Sequence, residues 1–540
     1  MSNVEGLRAA PPLRVLDGHG GDRGGGNTVP PGRPVIRLID GEAPQIGDEI
    51  LASLRTHGLY VHGDRLVMVL RPKTAPSRGI ERPAHAPILH TLDSAGLADL
   101  AGRHIRFERF DARRGEWVPR DLSRRYCDAI LSRGTWPEIR HLTGVVEAPL
   151  VLSSGEIIDG QGYDELSGLY LASEPPVGYT RPTIKPVDEA ITWARELLLE
   201  VFGSLPFVSE ADRAAALAGL LTVLLRRAIP AAPMLAITAP TPGTGKSLLS
   251  DALATIGLGR RATVLALGDD DAEADKRLVG VLIAGDPMVV IDNVSRPLAS
   301  DLLCQILTQD SIRARPLGVS AMLTLPTSTA FIVNGNNLAV VGDLRRRTLL
   351  VRLDAGVERP ELAPHAGDLL SEVKARRGEI LSASLTLVRA YIAAGKPDVG
   401  VPVLGGFREW HTMCRAPLIW SGLPDPFAAS ESLRDADPDL EATRALFAAW
   451  TAAYGDRLIT ANQVVTDAMS MAPRFDSTGA APSSPDMHAA LQGVTAEKIT
   501  AIRLGRWLRR HQDRLVDGLQ LVRGEDDPVA RCATWKIRRP

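Results

Sequence analysis

The chain has 540 residues, too many for a single hydrophobic core, so about three domains are expected. Its 62 lysines and arginines offset 64 aspartates and glutamates, which excludes a global basic field and leaves any nucleic-acid contact to local patches. Apolar content is an ordinary 45%, the longest apolar run, 214–225, falls short of the ~20 residues that span a bilayer, and Cys127, Cys304, Cys414 and Cys532 lack C-x-x-C spacing; a soluble protein of the reducing cytoplasm, without zinc or membrane contact, is expected.

Residues 1–33 are rich in Gly, Pro and Asp, a composition that buries no core, and read as a disordered tail. An α+β N-terminal domain is expected over 34–180. Alternation at 59–70 around Gly63-Asp64, and at 105–118 around Arg113-Arg114-Gly115, marks hairpins of half-buried strands without visible chemistry. Primase chemistry would need carboxylates clustered at strand ends or a zinc ribbon. Asp40 and Glu42, after the strand 35–39, are the only carboxylates so placed and read better as an Asp-Gly turn. Residues 181–232 form a helical collar of two helices, 187–202 and 209–229, the second opened by a Ser209/Asp212 capping box.

The strand 234–239 then runs into Pro240-Thr241-Pro242-Gly243-Thr244-Gly245-Lys246-Ser247 and a helical run from Leu248. Strand, glycine-rich loop and helix N-terminus make a phosphate cradle of backbone N–H groups. Pro242, Gly243, Thr244, Gly245, Lys246 and Ser247 are therefore assigned to ATP, Lys246 reaching the β- and γ-phosphates and the Ser247 hydroxyl holding Mg²⁺. Pro240 stands where the pattern G-x-x-x-x-G-K-[ST] has its first glycine, so the entry to the loop must be extended. Strands at 263–267, 288–292, 329–333 and 348–353, with helices at 273–283 and 298–307, predict a parallel sheet covered on both faces over 233–356.

Asp292 ends a buried strand and is the second residue assigned to the metal. The next residue, Asn293, is an amide where many such ATPases carry a water-orienting glutamate. Either Asn293 positions water, or a carboxylate comes from elsewhere; Glu273 in the acidic run 269–273 is the leading substitute, a solvated helix start the alternative. Asn336, in the run 331–337, is placed to sense the γ-phosphate. Gly342-Asp343-Leu344-Arg345-Arg346-Arg347 offers Arg346 or Arg347 to a neighbouring subunit's phosphates.

Beyond it lie a helical region at 357–471 (helices at 364–394, 407–421, 440–454 and 460–471), a Pro/Ser/Gly/Ala linker at 472–488 and a module at 489–540. In that module Leu504, Trp507, Leu508 and His511 share one helix face, while Arg503, Arg506, Arg509 and Arg510 lie around the others. Strand-like runs at 515–522 and 534–537 supply the wing of a winged helix for duplex DNA.

Pro242 to Ser247, Val290-Ile291-Asp292-Asn293, Gly335-Asn336-Asn337 and Gly342 to Arg346 together resemble the phage and mobile-element primase-helicases of the superfamily 3, poxvirus-type group, within the AAA+ ATPases. The resemblance runs from about Gly58 to the end; Pro240 and Asn293 depart from its pattern. It implies a multidomain α/β protein: a P-loop AAA+ core with a parallel sheet, an α+β N-terminal domain, a helical region and a C-terminal winged helix. It also implies an ATP- and Mg²⁺-dependent DNA helicase or translocase for replication of a phage, prophage or integrative element, with a separate primase as partner. Such relatives form hexameric rings on single-stranded DNA and move 3′ to 5′. A DNA-gripping hairpin would fall at 312–318, where Arg313 and Arg315 alternate onto one strand face, to meet phosphates or to lie on a solvated edge. Two other classes stay open: an ATP-switched origin-binding or regulatory protein, and a small-molecule kinase. The kinase reading lacks a lid-like arginine cluster close behind the P-loop.

Overall fold

A strand buried on both faces reads as an unbroken apolar run, and in the computed structural model such runs assemble into a six-stranded sheet. The structure describes residues 32–540 apart from 74–79, 184–186, 269, 295, 316–321, 361–367, 436–437, 474–479, 483 and 496–497; the tail expected over 1–33 lies outside the described residues save its last two. Two compact units divide the chain, Met1–Ser430 and Glu431–Pro540. Among the described residues no helix is long and apolar enough to cross a membrane.

The sheet strands are β1 (Ile80–Glu81), β2 (Met234–Ala239), β3 (Thr263–Leu265), β4 (Met288–Ile291), β5 (Ala330–Asn336) and β6 (Thr348–Arg352), in the order β6-β2-β5-β4-β3-β1. The strands β2 to β6 run parallel, with β5 inserted between the P-loop strand and β4. Ala239 lies beside Asn336, and Ile291 beside Val333, so β2, β5 and β4 end at one edge. Ligands of open α/β sheets gather at such carboxyl edges.

The antiparallel strand β1 comes from the N-terminal region. Arg82, just after it, donates Nε and Nη2 to the fully buried Asp286 at 2.8 and 2.5 Å, and the Thr263 hydroxyl donates to the same carboxylate at 2.8 Å. On the opposite edge, Ser209 caps the collar helix Glu210–Leu225 by accepting the Asp212 N–H. The buried Asp212 carboxylate accepts from the Ser209 hydroxyl at 2.6 Å and from Arg352 of β6 at 3.0 Å. One cap thereby fastens the collar to the sheet.

Before β1 lies the hairpin Leu59–His62/Arg65–Leu70, turning at Gly63-Asp64. A separate sheet of Val35–Arg37, Arg106–Asp111 and Glu116–Pro119 packs one face on the helices Ala43–Leu54, Ser94–His104 and Arg124–Leu131.

In the unit Glu431–Pro540, Trp450 of the helix Pro438–Tyr454 shares a core with Leu504, Leu508 and Trp535. Of the linker expected over 472–488, residues 474–479 and 483 lie outside the described residues, and the rest carries secondary structure. It takes part in the strand pair Met471–Pro473/Ala480–Pro482 and opens the helix Pro485–Thr495, whose proline stands at a first-turn position that needs no N–H donor. The run 515–522 also splits, because Asp517 and Gly518, both at positive φ, make a two-residue hairpin turn between Leu515–Val516 and Leu519–Asp526. The longer strand pairs with Ala533–Arg538, which also takes Ile459–Thr460 on its other side.

Candidate functional site

Gly243 and Gly245 hold φ at 77° and 104°, in the left-handed region where a side chain is strained, and Gly245 caps the helix Lys246–Leu258. The unpaired N–H groups of that first turn make an anion site. Thr244 is buried, with its hydroxyl donating to the Thr241 carbonyl at 2.8 Å. Lys246 donates to the same carbonyl at 3.1 Å. Burial pushes its ammonium pKa down while the Asp292 carboxylate opposes the fall. A partly desolvated lysine held by a neutral carbonyl gains by exchanging it for a phosphate oxygen.

Beside the loop lies a cavity of ≈ 480 Å³. Ser247, Ser250 and Asp251 of the P-loop helix wall one side, Val290, Asp292 and Asn334 another, and Glu81 and Arg82 the far end. Asp292 accepts the Asn293 N–H at 3.0 Å, and Asn293 takes φ 56°. Asparagine tolerates that conformation better than glutamate does, so the local backbone accounts for the amide. Glu273, on the helix Asp271–Ala284, pairs with Lys276 at 3.5 Å and Arg277 at 3.4 Å and is absent from the cavity wall.

Asn336 is exposed at the tip of β5, opposite Ala239. Asn334, on the same face of the strand, is 2% exposed; its Oδ1 accepts from Ser250 at 3.0 Å and its Nδ2 has no partner among the described residues. Sequence reasoning passed over both Asn334 and Asp251. The signal was the two-residue strand spacing of Asn334 from Asn336, and for Asp251 the four-residue helical spacing from Ser247. Burial and Asp292 raise the Asp251 pKa, against Arg261. The hydroxyl of Ser247 and the carboxylate of Asp292 are hard oxygen donors on one cavity, a set that fits Mg²⁺.

No family model matches the chain, and no curated protein does. Among solved structures it is similar to the A form apo structure of the NrS-1 C-terminal region, at a TM-score of 0.32 and 15% identity over 66% of this chain and 79% of that one. It is also similar to JCV helicase, at a TM-score of 0.21 and 15% identity over 44% of this chain and 73% of that one. At such scores neither fold nor activity transfers.

Arg346 and Arg347 lie on the 3₁₀ turn Gly342–Arg347, which leads into the edge strand β6. Both ion-pair with Asp343. Burial raises the carboxyl's pKa, but hydrogen bonds from the two guanidinium groups outweigh it and hold the pKa below the usual range. Arg346 is 64% exposed and Arg347 only 14%. The hairpin Ser311–Ala314/Leu323–Pro326 buries Ile312 and exposes Arg313, with Arg315 exposed just beyond; 316–318 lie outside the described residues. Its return strand is tied to the Gly63-Asp64 turn: the Thr324 N–H donates to Asp64 at 2.9 Å, and a Cβ on Gly63 would meet the Thr324 carbonyl at 2.4 Å.

In the second unit, Thr500 caps the helix Ala501–Arg510. Leu504 and Leu508 are buried while Arg506, Arg509 and Arg510 are exposed. Arg503, also exposed, donates to the Thr495 carbonyl at 3.3 Å, and Trp507 stacks on His511 at 4.0 Å.

Proposed function

We propose that the chain is an ATP-dependent DNA helicase or translocase, acting as a homohexameric ring on single-stranded DNA in replication of a phage, prophage or integrative element. The observation that carries this reading is the meeting of Ser247, from the P-loop helix, and Asp292, from the end of β4, on one cavity at the carboxyl edge of a parallel sheet. In this reading the loop N–H groups and Lys246 hold the triphosphate, and Ser247 and Asp292 hold Mg²⁺. The bound metal neutralises charge on the phosphates. Asn336 meets the γ-phosphate, and Arg346 or Arg347 leaves Asp343 for a neighbouring subunit's nucleotide. Arg313 and Arg315 track single-stranded DNA. Arg503, Arg506, Arg509 and Arg510 take duplex phosphates at a winged helix, and priming falls to a separate primase.

Asn293 favours a second reading, an ATP-switched origin-binding or regulatory protein, because no carboxylate follows Asp292 to orient water. Unwinding of a forked duplex by the full chain separates the two. Strand separation with ATPase stimulated by single-stranded DNA supports the motor, provided Lys246→Ala and Asp292→Ala each abolish both while keeping the wild-type melting temperature. Site-specific duplex binding that depends on nucleotide, without separation, supports the switch. Most activity surviving in either variant would sink the ATP site itself.

A further inference from the structure

Among the described residues, the N-terminal sheet of Val35–Arg37, Arg106–Asp111 and Glu116–Pro119 packs one of its two faces. Ile36 and Phe107 enter the core with the three helices, so the pleat turns Val35, Arg37, Glu108, Phe110 and Trp117 to the other side. There Val35 and Phe110 are each 50% exposed. Phe110 stands directly across from Trp117, the rings edge to face at 5.6 Å, and the Arg37 guanidinium lies 4.6 Å over the Trp117 ring. In a chain with only 4% aromatic residues, two neighbouring rings on an open face are unusual.

The border of this face is positive. Residues 106–120, the second and third strands with their turn, hold five arginines against three carboxylates, although the whole chain is close to neutral. Arg106 is offset by Glu108 at 3.1 Å, Arg109 by Asp40 at 2.7 Å and Arg114 by Asp111 at 3.8 Å. The surplus lies with Arg113 on the hairpin turn and Arg120 just past the last strand.

We propose that this face binds single-stranded nucleic acid, with bases stacking on Phe110 and Trp117 and phosphates running along Arg113 and Arg120. Exposed rings can stack only on bases that are free of a duplex, and a guanidinium plane extends the platform. The site is separate from the nucleotide cavity and needs no ATP.

The test uses the full chain without nucleotide and labelled oligothymidylate or oligouridylate of roughly 12 nucleotides, the two arms distinguishing DNA from RNA. Photocrosslinking through iodinated pyrimidines should map to residues 106–119, and Phe110→Ala should remove those crosslinks. Binding should weaken roughly five- to hundred-fold in that variant, the loss expected for one stacked base. Phe110→Leu should behave like alanine and Phe110→Tyr like wild type, because a π face rather than apolar bulk is required. Crosslinks mapping elsewhere, or unchanged affinity in Phe110→Ala and Arg37→Ala, would overturn the proposal. So would a Phe110→Ala protein that binds nucleic acid normally but loses self-association, which would make the face a protein interface.

Discussion

At Gly335, a Cβ would sit 2.8 Å from the carbonyl oxygen of Val294, whose own N–H donates to the Asn334 carbonyl at 3.1 Å. The loop after Asp292 closes over β5 only because that position has no side chain. Gly335→Ala should therefore cost about 1–3 kcal/mol of stability, the usual penalty of overpacking, and lower ATP turnover by displacing Asp292. A variant with wild-type melting and turnover would show that the loop adjusts freely. His62 makes a pH-dependent prediction. It is 1% exposed, with Nδ1–H donating to the Leu142 carbonyl at 2.8 Å, and burial pushes its pKa down to about 4 against that bond. The unfolded chain takes its proton near 6.5, before the folded chain does. This contribution is thus complete above pH ~6.5 and is lost by about 1.4 kcal/mol per unit as pH falls towards ~4. Thermal midpoints measured across that window should fall less steeply in His62→Gln. Lys246 and Ser247 were legible in the sequence because the glycine spacing around them is a local signal. The conformation of Asn293 was not, since a left-handed residue looks like any other asparagine until the backbone is seen.

Among the elements, the strands β2, β4 and β5 were easy to read as unbroken apolar runs between helices. The two-residue strand β1 was invisible, having too few residues for a period and a partner remote in sequence. Its anchor is the Arg82–Asp286 pair, with side chains 9% and 0% exposed. Removing one partner of a buried pair leaves the other charge without compensation, so Arg82→Ala should lose ~3–5 kcal/mol. Amide exchange in β3, the strand next to β1, should accelerate with it. A loss of only a few tenths of a kcal/mol would make β1 an ornament of the sheet. The same limit on local signal explains the C-terminal unit. Asp517-Gly518 is a readable turn, yet the apolar positions on either side passed as one strand.

For the whole molecule, the proposed ring requires arginines that act across a boundary. Arg346 and Arg347 share Asp343, but Arg347 is largely buried and its Nε has no partner among the described residues, while Arg346 is exposed. Arg346→Ala subunits mixed with Lys246→Ala subunits should recover part of the ATPase through hybrid boundaries, and Arg347→Ala should chiefly lower the melting temperature. No recovery at any mixing ratio, with co-assembly verified by sedimentation, would argue against action in trans.

The bond between Thr324 and Asp64 has a mechanical meaning. A hairpin that moved alone would spend a stroke on bending its own base. Because the return strand is pinned to the Gly63-Asp64 turn, a push on the hairpin in the proposed motor would be delivered to the strand pair Leu59–His62/Arg65–Leu70. The N-terminal strands would then travel with the hairpin as cargo, the load shared through a backbone amide and a carboxylate rather than through a flexible tether.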